Sequence, residues 1–129
     1  MARILVIEDD VTFLSLLRVH LASAGHAVVT AEDAAVGLRA IVSNSPDLLI
    51  LDLNVPFMDS FELLEAVRRD PMTRSIPVIV LTGRDDDASY VRAKKIGADG
   101  YFTKPVQREK LIKAIEICLA AAKSSTASN

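Results

Sequence analysis

The segment Pro46-Asp47-Leu48-Leu49-Ile50-Leu51-Asp52-Leu53-Asn54-Val55-Pro56 leaves a folding chain few options. Leu48 to Leu51 are all branched aliphatics with no polar alternation, so neither face is built for water. A strand apolar on both faces belongs inside a parallel sheet covered by helices on both sides. The run stops at a carboxylate, Asp52, and breaks into a loop at Pro56. Open parallel sheets bind ligands at the carboxyl ends of their strands. Asp52 stands at such an end. Taken alone it fits a turn cap equally well, because Asp is common in turns.

Elsewhere short apolar runs alternate with longer amphipathic segments. Residues 4–7 read as a first strand, ending in Glu8-Asp9-Asp10. Leu14, Leu17 and Leu21, with Phe13 beside them, mark a helix that Gly25 closes. Residues 27–30 read as a second strand. A helix over 32–43 turns Ala35, Leu38 and Val42 inward and is weakened by Gly37, by up to about 1 kcal/mol. The third strand is the opening segment. A helix over 61–69, with Leu63, Leu64 and Val67 apolar, ends before Pro71. Residues 77–82 form the fourth strand, and Gly83 breaks the chain. Asp85-Asp86-Asp87 head a helix that Gly97 closes. Residues 100–103 are the fifth strand. A last helix over 108–122 turns Leu111, Ile112, Ile115 and Leu119 inward. Residues 1–123 make one domain, and 124–129 are expected to be a flexible tail. Five alternations with short connections predict an α/β fold with a parallel sheet and right-handed crossovers.

Composition narrows the function classes. The 129 residues carry a formal net charge of −2, which argues against direct binding of nucleic acid or a membrane surface, since both favour basic chains. A lone cysteine, Cys118, excludes an internal disulfide and a multi-cysteine metal site. No apolar run approaches the ~20 residues of a bilayer span, and the first strand begins where a signal peptide would lie. The expected location is cytoplasmic.

The strand ends then carry the argument. In a parallel sheet they share one edge, which gathers Glu8 and Asp9, Asp52, Thr82 and, just past the fifth strand, Lys104. Two like charges ~4 Å apart cost roughly 4 kcal/mol at an effective dielectric near 20. Lys104 offsets only one of the carboxylates. Oxygen donors without His or Cys suit a hard divalent cation, Mg²⁺ or Mn²⁺. A metal, a lysine, a hydroxyl and a free carboxylate suit phosphoryl transfer with the carboxylate as nucleophile.

Four stretches complete a pattern: residues 4–10, 47–59, 77–83, and Gly97-Ala98-Asp99-Gly100-Tyr101-Phe102-Thr103-Lys104-Pro105. In order and spacing the chain resembles the receiver domain of two-component response regulators, the CheY-like superfamily. The resemblance implies a flavodoxin-like (βα)5 doubly wound fold with strand order 2-1-3-4-5. It implies that Asp52 is the phosphoacceptor. Asp9 would hold Mg²⁺ directly and Glu8 mainly through water, with the Asn54 backbone carbonyl as a further ligand. Thr82 matches the switch hydroxyl, Tyr101 the aromatic switch residue that follows it, and Lys104 the lysine that pairs with the phosphoryl group. Lys104-Pro105 matches a cis peptide bond. The implied partners are a histidine kinase or histidine phosphotransfer protein and an output domain or target protein, with a possible phosphorylation-dependent homodimer. Two departures stand out. Ser60 occupies a position often held by Gly and would be strained there at positive φ. Arg84, two residues past Thr82, falls where the family tunes loss of the phosphoryl group.

Two rivals differ in class. A phosphatase of the haloacid-dehalogenase type needs a second acid two residues after its nucleophile, where this chain has Asn54. A receiver-like interaction module that is never phosphorylated should lack one of the acids, the threonine or the lysine, and all are present. Simpler roles account for several other residues: Asp10 and the 85–87 acids as helix caps, His20 and His26 as surface groups, Cys118 as a small core residue. Arg92, Lys94 and Lys95 make a basic helix face, either solvated or a docking surface. The chain is either a receiver acting alone or the receiver part of a longer regulator.

Overall fold

The computed structural model describes the backbone of residues 2–127 and the side chains of residues 2–123. Strands and helices alternate as β1 (Arg3–Ile7), α1 (Val11–Ser23), β2 (Ala27–Ala31), α2 (Ala34–Ser43), β3 (Leu48–Leu51), α3 (Ser60–Arg69), β4 (Val78–Thr82), α4 (Asp87–Ile96), β5 (Gly100–Thr103) and α5 (Arg108–Ala127). The strands form one parallel sheet in the order β2-β1-β3-β4-β5, as the resemblance implies.

The unalternating strands are explained by the two cores they divide. Leu49, Leu51, Leu5, Ile7, Val78 and Val80 face α2, α3 and α4. Their neighbours Leu48, Ile50, Ile4, Val6, Ile79 and Leu81 face α1 and α5. Every residue of β3 and β4 is buried. The register sets Ile7 beside Leu51 and Ala31, and Thr82 beside Thr103. The residues that follow β1 and β3 therefore emerge side by side. Asp10, Asp33, Asp59 and Asp86 each cap a helix by accepting a backbone N–H, which satisfies donors that the first turn leaves free.

Four sequence expectations are corrected. In α2 the buried stripe is Ala34, Gly37 and Ile41, with Leu38 partly buried, while Ala35 and Val42 are exposed. Gly37 is a packing requirement: a Cβ there would lie 2.3 Å from Ile7 Cδ1 and 2.7 Å from its Cγ1. Ser60 is unstrained as the first residue of α3. The left-handed residue of that loop is Phe57, at φ 73°. Finally, α5 continues past residue 122 to Ala127, so 124–127 of the expected tail are helical. Residues 128–129 lie outside the described residues.

Candidate phosphoryl-acceptor site

Asp52 follows β3 directly. Its N–H continues the ladder to the Ile7 carbonyl at 3.0 Å, and the Ser60 hydroxyl donates to its carbonyl at 2.8 Å. The backbone is thus held from both sides and the carboxylate projects into the pocket, 4 % exposed. There Oδ1 accepts the Asn54 N–H at 3.1 Å and Oδ2 accepts Lys104 Nζ at 3.1 Å. Lys104 also donates to Glu8 Oε1, and the second Glu8 oxygen accepts the Asp10 N–H at 3.1 Å. The ammonium sits 4.3 Å from the centroid of the Phe13 ring. Lys104 is placed by its own N–H, which donates to the Thr82 carbonyl at 2.8 Å, and its peptide bond to Pro105 is cis.

Glu8, Asp9 and Asp52 each offer a carboxylate oxygen within 4.8 Å of the others. Glu8 and Asp52 are buried, and Asp9 faces solvent. Three carboxylates against one ammonium leave an excess of negative charge, and all the donors are oxygen. That set fits a hard divalent cation. Asp9, as the exposed member, gives such an ion a way in.

The pKa shifts show which forces act. Burial pushes the Asp52 carboxyl up, but the Asn54 N–H, the Thr82 hydroxyl and the Lys104 charge outweigh it and hold the group below the ordinary value. For Glu8 burial prevails over the Lys104 and Asp10 hydrogen bonds, and its pKa is raised. The two acids share one lysine yet shift in opposite directions, and the ionised form is favoured more at Asp52 than at Glu8. Burial lowers the Lys104 pKa, but its two carboxylate partners raise it above the ordinary value, so the lysine is charged at neutral pH.

Thr82 is fully buried, and its Oγ1 accepts the Arg84 N–H at 3.4 Å. The Tyr101 hydroxyl donates to the Arg84 carbonyl at 2.9 Å, and its ring meets Tyr90 edge-on at 5.3 Å. Burial, followed by the charge of Asp86, raises the Tyr101 pKa, which keeps it a donor. The structure thus brings the sequence-derived residues to one edge of the sheet. It adds two residues that sequence reasoning left out of the site, and one contact between residues it had named. Ser60 was singled out only as a glycine substitute, Phe13 only as an apolar face residue, and the bond between Arg84 and Asn54 joins residues 30 apart in the chain. An open groove of about 670 Å³ at the other end of the sheet, lined in part by Ala2, His26, Pro46, Met72 and Pro77, lacks such a cluster.

Comparison with known proteins agrees with this geometry. The pattern of the response regulator receiver domain matches residues 4–116. The chain is similar to protein PilH of Pseudomonas aeruginosa, with 36% identity over 120 residues that cover 93% of this chain and 99% of PilH. It is also similar to the transcriptional regulatory protein AfsQ1 of Streptomyces coelicolor, with 39% identity over 92% of this chain but 52% of the relative. Among solved structures, a CheY-like receiver domain protein from Methanospirillum hungatei superposes with a TM-score of 0.91 at 29% identity, covering 97% of this chain and 98% of the other.

Proposed function

The chain belongs to the response regulator receiver domain family, and from that membership we propose that it is a phosphorylation switch with Asp52 as the acceptor. The observation that carries this reading is the meeting of Lys104 with Glu8 and Asp52 across 96 and 52 residues of sequence, beside the oxygen of Asp9.

Asp52 is a buried carboxylate held ionised, which is the form that can attack. Its oxygen forms a bond to the phosphorus of a phosphohistidine. The bond from phosphorus to the donor's ring nitrogen breaks, and the histidine leaves with its electron pair. Asp9, Asp52 and the Asn54 backbone carbonyl would hold Mg²⁺, or Mn²⁺, with Glu8 behind them. A cation bound there supplies positive charge to the phosphoryl oxygens. Lys104 and the Asn54 N–H already address Asp52, so they would meet the phosphoryl group without rearrangement. Modification takes the side chain from −1 to about −1.5 to −2 and adds acceptor oxygens. Thr82 is drawn toward them by a charge-assisted hydrogen bond. Its Arg84 neighbour carries the Tyr101 contact, so motion at Thr82 reaches α4, β5 and α5.

The donor would be a histidine kinase or a phosphotransfer protein, and the readout an output domain, a target protein or a homodimer. AfsQ1 is named a transcriptional regulatory protein, and this chain spans 52% of it. Contact with nucleic acid in such a regulator would fall to a separate domain, since this one has near-neutral charge. Among the described residues no helix is long and apolar enough to cross a membrane. The chain acts as an acceptor and not as a turnover enzyme, because Asn54 stands where a phosphatase of this chemistry needs an acid.

Incubation with acetyl phosphate or phosphoramidate and Mg²⁺ is expected to label the wild-type protein, and Asp52→Asn is expected to abolish stable labelling. Full labelling of Asp52→Asn at the wild-type rate would remove Asp52 from the role.

A further inference from the structure

Arg84 touches each part to which the switch was assigned. Its N–H donates to Thr82 Oγ1 at 3.4 Å, and its carbonyl accepts the Tyr101 hydroxyl at 2.9 Å. Its side chain crosses to the loop after β3, where Nε donates to Asn54 Oδ1 at 2.7 Å and Nη2 to the Leu53 carbonyl at 3.4 Å. Its guanidinium carbon lies 5.7 Å from the centroid of the buried Phe61 ring in α3, and Arg92 of α4 packs on that ring at 4.1 Å.

All these side-chain acceptors are neutral. The ion pairs among the described residues use Arg68, Arg69 and Lys104, and Arg84 forms none. A permanently charged fork therefore rests on an amide, a carbonyl and an aromatic face, one residue away from the carboxylate that gains charge. Asn54 is the bridge, since its N–H binds Asp52 while its side chain binds Arg84. A guanidinium gains Coulomb attraction from an anion that a neutral acceptor lacks, and its bonds to phosphoryl oxygens are frequently bidentate.

We propose that Arg84 is a phosphoryl-responsive latch. In the unmodified protein it ties the loop after β4 to the loop after β3 through Asn54 and Leu53. When Asp52 is phosphorylated, the guanidinium exchanges those neutral acceptors for phosphoryl oxygens. It frees the Asn54 side chain and leaves one face of Phe61, so the link between α3 and the β4–α4 loop opens only in the modified state. This rests on the receiver reading and adds a second cation for the phosphoryl group besides Lys104. The exchange makes Asn54 a competitor of the phosphoryl group for Arg84, which a merely structural arginine would not have.

The test uses the full chain with Mg²⁺ and beryllofluoride, a stable mimic of the acyl phosphate. Saturation is expected to shift the Arg84 Nε–H resonance. Arg84→Met should weaken beryllofluoride binding by about tenfold, the equivalent of one lost charge-assisted bond, and Arg84→Lys should recover part of it. Asn54→Ala keeps the backbone carbonyl and removes the competitor, so it should tighten binding by about threefold, and the double variant should behave as Arg84→Met. An unmoved Arg84 resonance at saturation, or wild-type affinity in Arg84→Met, overturns the latch. If wild type and Asp52→Asn are alike in failing to bind beryllofluoride, the receiver reading itself falls, and the latch with it.

Discussion

Lys104 brings one positive charge to a pocket that holds the carboxylates of Glu8, Asp9 and Asp52. Removing it leaves two buried acids without their cation, so Lys104→Met should destabilise the protein by about 3 kcal/mol at neutral pH. The pH dependence follows from the directions of the shifts. Asp52, with its pKa lowered, contributes stability that is present above its ordinary value near 3.8 and lost as pH falls through the folded value. Glu8, with its pKa raised, acts with the opposite sign and costs stability once pH rises above its ordinary value near 4.5. Lys104 contributes stability that is complete below its ordinary value near 10.5 and lost as pH rises through the folded one. Urea midpoints across pH should therefore show the Lys104→Met deficit shrinking on acidification, and a deficit independent of pH would count against this charge balance. Asp52, Thr82 and Lys104 were legible in the sequence because strand ends in a parallel sheet share an edge. Gly37 was not. Propensity alone makes Gly37→Ala stabilising by about 1 kcal/mol, but the new methyl would meet the fully buried Ile7 at under 3 Å. Overpacking of that kind costs about 1–3 kcal/mol, so a net loss of stability is expected, and a higher melting temperature would show that α2 can move away.

At the scale of elements, the site depends on helix ends. The Ser89 N–H donates to the Asp86 carboxylate at 2.8 Å and, as the largest influence, lowers its pKa. The stability this cap lends to α4 is present above the ordinary Asp value near 3.8 and lost as pH falls through the folded one. Asp86→Ala should therefore lower the thermal midpoint at neutral pH, with the difference from wild type fading in acid. The far end of α4 is fixed from α3. Arg68 donates to the carbonyls of Gly97, Arg74 and Ile76 and to the Asp99 carboxylate, whose same oxygen accepts the Val78 N–H. Arg68→Ala strands those acceptors and should cost about 2–3 kcal/mol by denaturant titration. This clamp was invisible in the sequence, since it joins α3 and β4 to residues of the two loops before β4 and β5 and leaves no periodic trace. The burial of α2 was misplaced for a related reason. Ile41 and Val42 are adjacent and equally apolar, and the choice between them is made by the close approach of Gly37 to Ile7. The ends of α1 and α4 were legible because Asp and Gly stand where caps require them, and the end of α3 because Pro71 follows it.

Across the whole molecule, the sheet gathers acids from β1 and β3 and a cation from β5 at one edge, and the excess negative charge there is a standing cost without a counterion. Mg²⁺ should raise the melting temperature with increasing concentration, as expected for a ligand that binds only the folded state. Asp9→Asn should abolish most of that rise while itself stabilising the metal-free protein by relieving repulsion. The parallel α/β arrangement could be read from five alternations and short connections and the strand order from the resemblance, whereas pairings across the site had to be seen. The central claim is that this edge makes Asp52 a phosphoryl acceptor. It is tested most directly by mapping the modified residue after incubation with phosphoramidate, with Mg²⁺ or with a chelator. The expected result is a single phosphoryl group on Asp52 in the presence of Mg²⁺ and none with the chelator. Modification at another residue, or none with the metal present, would contradict it.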